Sequence, residues 1–409
     1  MAKRNVVIVG GGLAAARAAT NLRKEGFDGR LILLTDEPEV PYERPPLSKD
    51  YLRGEKDRAG IRVMEPAGWA AADVDVLTNT RVAGLDLHAR TVRLEGGRRI
   101  RFWRCVLATG SAARPLPGPG GDLLGVFTLR TVDEADALRA AALAAGSAVV
   151  VGGGWIGAEV AASLQQLGVE MTMVMTGKLP LERVMGPEIG AVYRDLHLGH
   201  GVRLVTDARV EAVLGERRAE GLRLVDGRTV DGTVVVAGVG ASPRDELARA
   251  AGLTVGDGVE VDEYLRTSDP AVFAIGDIAA AWNPTFGERI RVEHWDNARR
   301  QGIAVAKSVL GRGTAYARAP YFYSDQWDFS IEYVGHPSHW DRLLFRGVPE
   351  SGSFCAFWLD GGKVVAGLNA RVPDVSPTIA RLVESHATPD LGRLADPAVP
   401  LAELLPPVA

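Results

Sequence analysis

The stretch VVIVGGGLAAARAA at residues 6–19 is echoed by VVVGGGWIGAEVAA at 149–162. Each copy has a β-branched run, a glycine turn and an alanine-rich helical pattern. Each then continues into a second apolar run, LILLT at 31–35 and MTMVM at 171–175. The copies are therefore read as two βαβ units, 142 residues apart, which is domain spacing rather than solenoid spacing. Gly10-x-Gly12-x-x-Ala15 and Gly152-x-Gly154-x-x-Gly157 both fit the dinucleotide fingerprint. Its first glycine makes the tight turn. The second lets a pyrophosphate approach the helix N-terminus, and the third position must be small for helix–sheet packing. Two bounded matches predict two dinucleotide sites.

The sites are expected to differ. Asp36 and Glu37 close the second strand of the first copy, where a carboxylate accepts hydrogen bonds from ribose hydroxyls. Met175 is read as the equivalent position in the second copy, followed by Thr176, Gly177 and Lys178. No carboxylate stands there, whereas Thr176 offers a hydroxyl and Lys178 or Arg183 a cation for a 2′-phosphate. Relaxed or NADPH-leaning coenzyme use is favoured over strict NADH use. Elsewhere, CVLATGS at 105–111 and AVFAIGDI at 271–278 read as strands ending at glycine, with Asp277 offered to a polyol hydroxyl.

Composition narrows the alternatives. The 409 residues carry 47 Lys+Arg against 51 Asp+Glu, a formal net charge of −4, which argues against a general nucleic-acid binder. Cys105 and Cys355 are the two cysteines and form no CxxC pair, so neither a local redox disulfide nor a thiolate metal site is expected. No apolar run approaches the roughly 20 residues of a membrane helix. Lys3 and Arg4 ahead of the apolar run mimic a signal peptide, but the Gly10–Gly12 triplet interrupts it. The expectation is a cytoplasmic protein without membrane or nucleic-acid partners. The helical pattern NARRQGIAVAKSVLG at 297–311 precedes a Pro/aromatic segment at 319–328. Beyond it come alternating strands, a closing helix near 376–386 and a Pro-rich tail read as a surface segment.

The ordered motifs GGGLAA, YERPPLSK (42–49), LATG, FTLRTVDEADAL (127–138), VVVGGGWIGAE, VAGVGASP, TSDPAVFAIGD and VEHWDNARRQG (292–302) resemble the two-dinucleotide-domain flavoprotein reductases. Within them the chain is most similar to ferredoxin reductases of the putidaredoxin reductase and biphenyl dioxygenase reductase type, with apoptosis-inducing factor a more distant relative. The resemblance is dense over about 4–330 and looser beyond.

It implies an α/β fold with two Rossmann-like domains, glutathione-reductase-like, and a small C-terminal α+β domain. The FAD-binding domain would span 1–114 and 245–318, the NAD(P)H-binding domain 115–244, and the last domain 319–409. It implies one non-covalent FAD. Gly10, Gly12, Ala14 and Ala15 would meet its pyrophosphate, Asp36 or Glu37 the adenosine ribose, and Asp277 the ribityl chain. Arg44, Lys49, Val82, Ala108, Thr109, Arg130 and Trp295 match further positions lining it. NADH or NADPH would bind through Gly152, Gly154, Gly157, Thr176, Lys178 and Gly240. Lys49 and Glu159 would pair beside the flavin ring as the catalytic groups, a fixed cation there stabilising charge that develops on reduction. Trp295 and Tyr323 are the aromatic candidates beside the ring, with Tyr323 where the family commonly has Trp. Trp340 and Trp358 are assigned to core, and His294 and His336 to structural roles.

The implied activity is NAD(P)H-dependent reduction of a small, acidic iron–sulfur ferredoxin feeding a cytochrome P450 or ring-hydroxylating oxygenase, by a monomer or homodimer. Alternatives are a redox sensor of the apoptosis-inducing-factor type, or an NADH oxidase or quinone reductase without a protein partner. Arg299, Arg300, Lys307 and Arg312 are the candidate basic docking face.

Overall fold

The computed structural model describes residues 4–407; Lys3 and the last residues of the tail lie outside the described residues. Two parallel five-stranded sheets are built on the repeated stretches. The first is ordered Val272–Ala274, Arg104–Leu107, Asn5–Val9, Arg30–Leu34, Val74–Leu77. The second is ordered Val126–Phe127, Val235–Ala237, Ser147–Val151, Glu170–Val174, Arg203–Val205. The central strands are apolar on both faces, as sheets covered by helices require: Val6, Val7 and Ile8 are fully buried.

The repeat runs further than the glycine turns. Each unit carries a three-stranded antiparallel meander, at 82–101 and 210–231, just before the strand that pairs on the other side of its fingerprint strand, Arg104–Leu107 and Val235–Ala237. LEGGRRI (94–100) and LVDGRTV (224–230) are the matching hairpins. In both, a glycine at φ near +88° (Gly97, Gly227) turns the chain, and the leucine N–H donates to the arginine carbonyl four residues on. Ala241–Pro243 pairs antiparallel with Ser111–Ala113 where the chain passes between the units.

A third, antiparallel sheet is ordered Tyr321–Gln326, Phe329–Gly335, Lys363–Ala370, Ser353–Asp360, Arg342–Val348. Helix Ser376–Glu384 packs on it. The Pro-rich tail runs along the surface with most of its described residues exposed, but it is anchored: Leu394, Leu401 and Leu404 are buried in the same core as Ile379 and Leu382. Arg346 fastens it by donating to the carbonyls of Leu394, Pro397 and Val399. Leucines spaced by prolines hide this burial from periodicity. Trp358 is fully buried, but Trp340 is only half-buried at the core edge. The helix expected at 297–311 runs Trp295–Val309, starting two residues early because the His294 ring accepts from the Asp296 N–H and caps it. No helix among the described residues is long and apolar enough to cross a membrane.

Candidate functional site

A cavity of about 940 Å³ opens at the first glycine turn, near the upper end of the ~300–1,000 Å³ usual for ligand sites. Gly10, Gly12, Asp36, Glu37, Arg44, Val82, Ala108, Thr109 and Arg130 line it. Gly10, at φ +123°, approaches so closely that a Cβ would sit 2.0 Å from the Ala108 carbonyl oxygen. Gly152 repeats this against Gly238 at 2.2 Å. Gly12 and Gly154 each head a helix and face open space. Ala14 and Ala15 are buried behind the first turn. Gly302, which the sequence reading passed over, lets helix Trp295–Val309 lie against the first helix: a Cβ there would meet the Ala14 carbonyl at 2.5 Å.

Asp36 and Glu37 both have partners. Asp36 takes a hydrogen bond from Arg244 at 2.7 Å. Burial works to raise the Asp36 pKa, but Arg244 outweighs it and the carboxyl lies below its ordinary value. Glu37 accepts from Tyr42 and Arg44, each at 2.5 Å, and Arg44 also donates to the Arg130 carbonyl. Thr109 Oγ1 donates to the Arg244 carbonyl at 2.7 Å. Beyond the cavity lining, Asp277 Oδ2 accepts from Arg130 at 2.7 Å and Ser111 at 2.9 Å. Arg130 Nε is buried without a partner among the described residues.

Lys49 and Glu159, 110 positions apart in sequence, meet at 2.7 Å with side chains only 12% and 5% exposed. Glu159 lies on the helix headed by Gly154, and Lys49 follows the short turn Pro45–Ser48 of the first unit. One residue from each fingerprint unit thus enters the pair. Ser48 donates to the same carboxylate at 2.6 Å and Ser324 at 2.8 Å; neither serine was singled out in sequence. The Lys49 ammonium lies 5.5 Å from the Tyr323 ring centre, and Tyr323 stands edge-on to Trp295 at 6.2 Å. Trp155, also not foreseen, stacks on Phe322 at 6.3 Å.

The second turn requires a correction. Gly152 N–H bonds to Val174 and Gly10 N–H to Leu34. The counterpart of Met175 is therefore Thr35, not Asp36 or Glu37. Both strands end one residue before these positions, and both side chains pack beneath the middle glycine of their turn. Met175 is buried, whereas Thr176, the counterpart of Asp36, and Lys178 are exposed. Gly240 adopts φ +103° with open space around it.

The proposed docking cations are also largely committed. Arg300 pairs with Asp296 at 2.5 Å and Arg299 at 3.9 Å, while Lys307 and Arg312 lie 3.9 and 3.8 Å from Glu25. Helical spacing puts Asp296 three and four residues before the arginines, so the four cations share two carboxylates, Asp296 and Glu25, and the group keeps a net positive charge.

Two histidines are held neutral. Burial pushes His197 down to about 4. Burial and then the Lys49 charge do the same to His294. The unfolded chain binds these protons first, so stability is full above about pH 6.5 and falls toward pH 4. His197, which is fully buried, should account for about 3 kcal/mol of that fall. Urea melts at pH 7.5, 5.5 and 4.5 should show this loss, and His197→Asn should flatten the curve. Parallel curves for both proteins would contradict the assignment.

The pyridine nucleotide-disulphide oxidoreductase family model matches residues 4–302, and the reductase C-terminal model matches 321–405. The chain is 38% identical to the 5,5′-dehydrodivanillate O-demethylase ferredoxin reductase subunit of Sphingobium sp. (strain NBRC 103272 / SYK-6), with 97% of each chain covered. It is 34% identical to putidaredoxin reductase of Pseudomonas putida, covering 99% of this chain and 97% of that one. The crystal structure of the covalent putidaredoxin reductase–putidaredoxin complex superposes with a TM-score of 0.95 at 33% identity, covering 99% of this chain and 98% of that one. With the family shown over most of its length, the chain belongs to the pyridine nucleotide-disulphide oxidoreductases that end in a reductase C-terminal domain.

Proposed function

We propose that this chain is a flavoprotein reductase that carries electrons from NADH, through a non-covalent FAD, to a small iron–sulfur ferredoxin serving an oxygenase. The observation that carries the reading is the buried Lys49–Glu159 pair, to which each fingerprint unit supplies one side chain. In this reading residues 1–114 and 245–318 hold FAD, 115–244 hold the nicotinamide cofactor and 319–409 close the site, in a cytoplasmic protein.

The residues present fit FAD. A pyrophosphate can lie against Gly10–Gly12 because Gly12 leaves the helix N-terminus open. Arg130 Nε has no partner among the described residues, and Asp277, held through Oδ2 by Arg130 and Ser111, would offer its other oxygen to a polyol. FAD, when bound, accepts a hydride from the nicotinamide and returns two electrons singly. Lys49 holds a positive charge where negative charge develops, and Glu159 fixes the ammonium. Tyr323 and Trp295 wall the same place. Cys105 and Cys355 are both buried, with thiol pKa values raised by burial. An internal dithiol relay is not the exit route, which favours a one-electron acceptor.

For coenzyme choice, exposed Thr176 and Lys178 replace the carboxylate of the first unit. NADH should therefore be preferred in kcat/KM by less than about 100-fold, which is under roughly 2.7 kcal/mol. Thr176→Asp, copying Asp36, should raise the ratio. A wild-type preference far above this, unmoved by Thr176→Asp, would contradict the assignment. The function itself is tested with NADH, a small [2Fe–2S] ferredoxin and cytochrome c. Cytochrome c reduction should depend on the ferredoxin, and equal rates without it would overturn the reading.

A further inference from the structure

The strand Tyr321–Gln326 opens the third sheet, and beyond Tyr321 and Phe322, which pack on that sheet's own clusters, its side chains reach groups outside the sheet. Side chains alternate along a strand, and here each face meets a different partner. Tyr323 faces Lys49 and Trp295. Phe322, Ser324 and Gln326 face the nicotinamide unit, where they meet Trp155, Glu159 and His197 in turn. Ser324 and Gln326 are 0% and 1% exposed, Glu159 4% and His197 0%.

The hydrogen bonds among them run one way. A carboxylate only accepts, so the Ser324 hydroxyl must donate to Glu159 Oε1, at 2.8 Å. Its lone pair then accepts from Gln326 Nε2 at 3.3 Å. Gln326 Oε1 accepts in turn from His197 Nε2 at 2.9 Å, which leaves His197 Nδ1 as the bare nitrogen. That atom is buried and has no partner among the described residues. Three donors in series point at Glu159 Oε1, while Ser48 and Lys49 occupy Oε2. Such aligned chains polarise one another in a low-dielectric interior.

We infer that Ser324 is a positioning residue for hydride transfer: the third sheet, through Ser324 and the Gln326–His197 pair behind it, clamps the Glu159 carboxylate in the orientation that holds the Lys49 ammonium at the reacting centre. The inference rests on the proposed role of the Lys49–Glu159 pair. It explains why a strand from the last part of the chain lies between the two dinucleotide units. Without the Ser324 donor, Glu159 Oε1 loses its partner and only Ser48 and Lys49, both on Oε2, fix the carboxylate, so its plane and the ammonium it holds are less well oriented.

The test compares Ser324→Ala, Ser324→Thr and Lys49→Met as FAD-loaded proteins. The readouts are anaerobic stopped-flow reduction by NADH and the midpoint potential of the bound flavin. Ser324→Ala should slow reduction about threefold to fivefold, less than loss of Glu159 itself, leave the KM for NADH within about twofold and make the potential more negative. Ser324→Thr, which keeps the hydroxyl on a β-branched strand residue, should restore both readouts. If Ser324→Ala does not fold, Ser324→Cys, nearly isosteric with a weak donor, takes its place with the same expectation. Wild-type rate and potential in the Ala or Cys variant, with Lys49→Met slow, would overturn the clamp and leave the pair's role intact. Wild-type behaviour in Lys49→Met as well would overturn both.

Discussion

Replacing Lys49 by methionine is expected to slow reduction of the bound flavin by NADH about 100-fold, while the affinity for FAD changes little. The magnitude is that of removing one preorganised donor from a site of developing charge, about 2.7 kcal/mol. Methionine keeps the apolar stem, so packing is disturbed less than charge. Glu159→Ala should act in the same direction but more weakly, about tenfold, because the cation remains and only its tether is lost. Both variants leave a buried group without its partner, and breaking such a pair usually destabilises by about 3–5 kcal/mol. Here Ser48 and Ser324 still donate to Glu159 in the methionine variant, so it should survive better than Glu159→Ala. Stopped-flow traces and a thermal melt of each variant separate the two effects. A wild-type rate in both would remove the pair from the mechanism.

The second large effect concerns cofactor retention. Asp277→Ala should weaken FAD binding by about 1.5–3 kcal/mol, the worth of a hydrogen bond to a charged acceptor, or roughly 10- to 100-fold in Kd. The variant also strips Arg130 and Ser111 of their shared acceptor, since both donate to Asp277 Oδ2. Arg130 would then be left with its Nε and its freed Nη2 both unpaired beside the cavity. Fluorescence titration of the apoprotein with FAD measures the change directly. Full retention of FAD in the variant after dialysis would count against Asp277 as a ligand.

The doubled architecture was legible because each glycine turn is a local pattern: the residues that need one another, such as Gly152 and Gly157, lie within one turn of chain. The meanders at 82–101 and 210–231 repeat as faithfully, but their strands are only three to five residues long. Such short runs carry too little periodicity to stand out. The hairpins LEGGRRI and LVDGRTV were the available signal. The Lys49–Glu159 contact was legible only through the resemblance, because nothing local links positions 110 residues apart. Arg244 and Asp36, 208 positions apart, had no such help. The register of Met175 was missed by one residue because a strand's end is set by its ladder rather than by its apolar run. Ser324 and Gln326 lie within the Pro/aromatic segment 319–328, where nothing local marks them out. Their function in the fold depends on which face of the strand meets which unit, and that is a tertiary property.

The central claim, that electrons enter as a pair from NADH and leave singly to a ferredoxin, is tested most directly by an anaerobic single-turnover titration. One equivalent of NADH should bleach the flavin of one chain. Oxidised [2Fe–2S] ferredoxin added afterwards should be reduced in about two equivalents per chain, as two electrons leaving singly require, with the flavin absorbance restored. A reduced chain that keeps its electrons in the presence of ferredoxin, yet yields them at once to a quinone or to oxygen, would contradict the account.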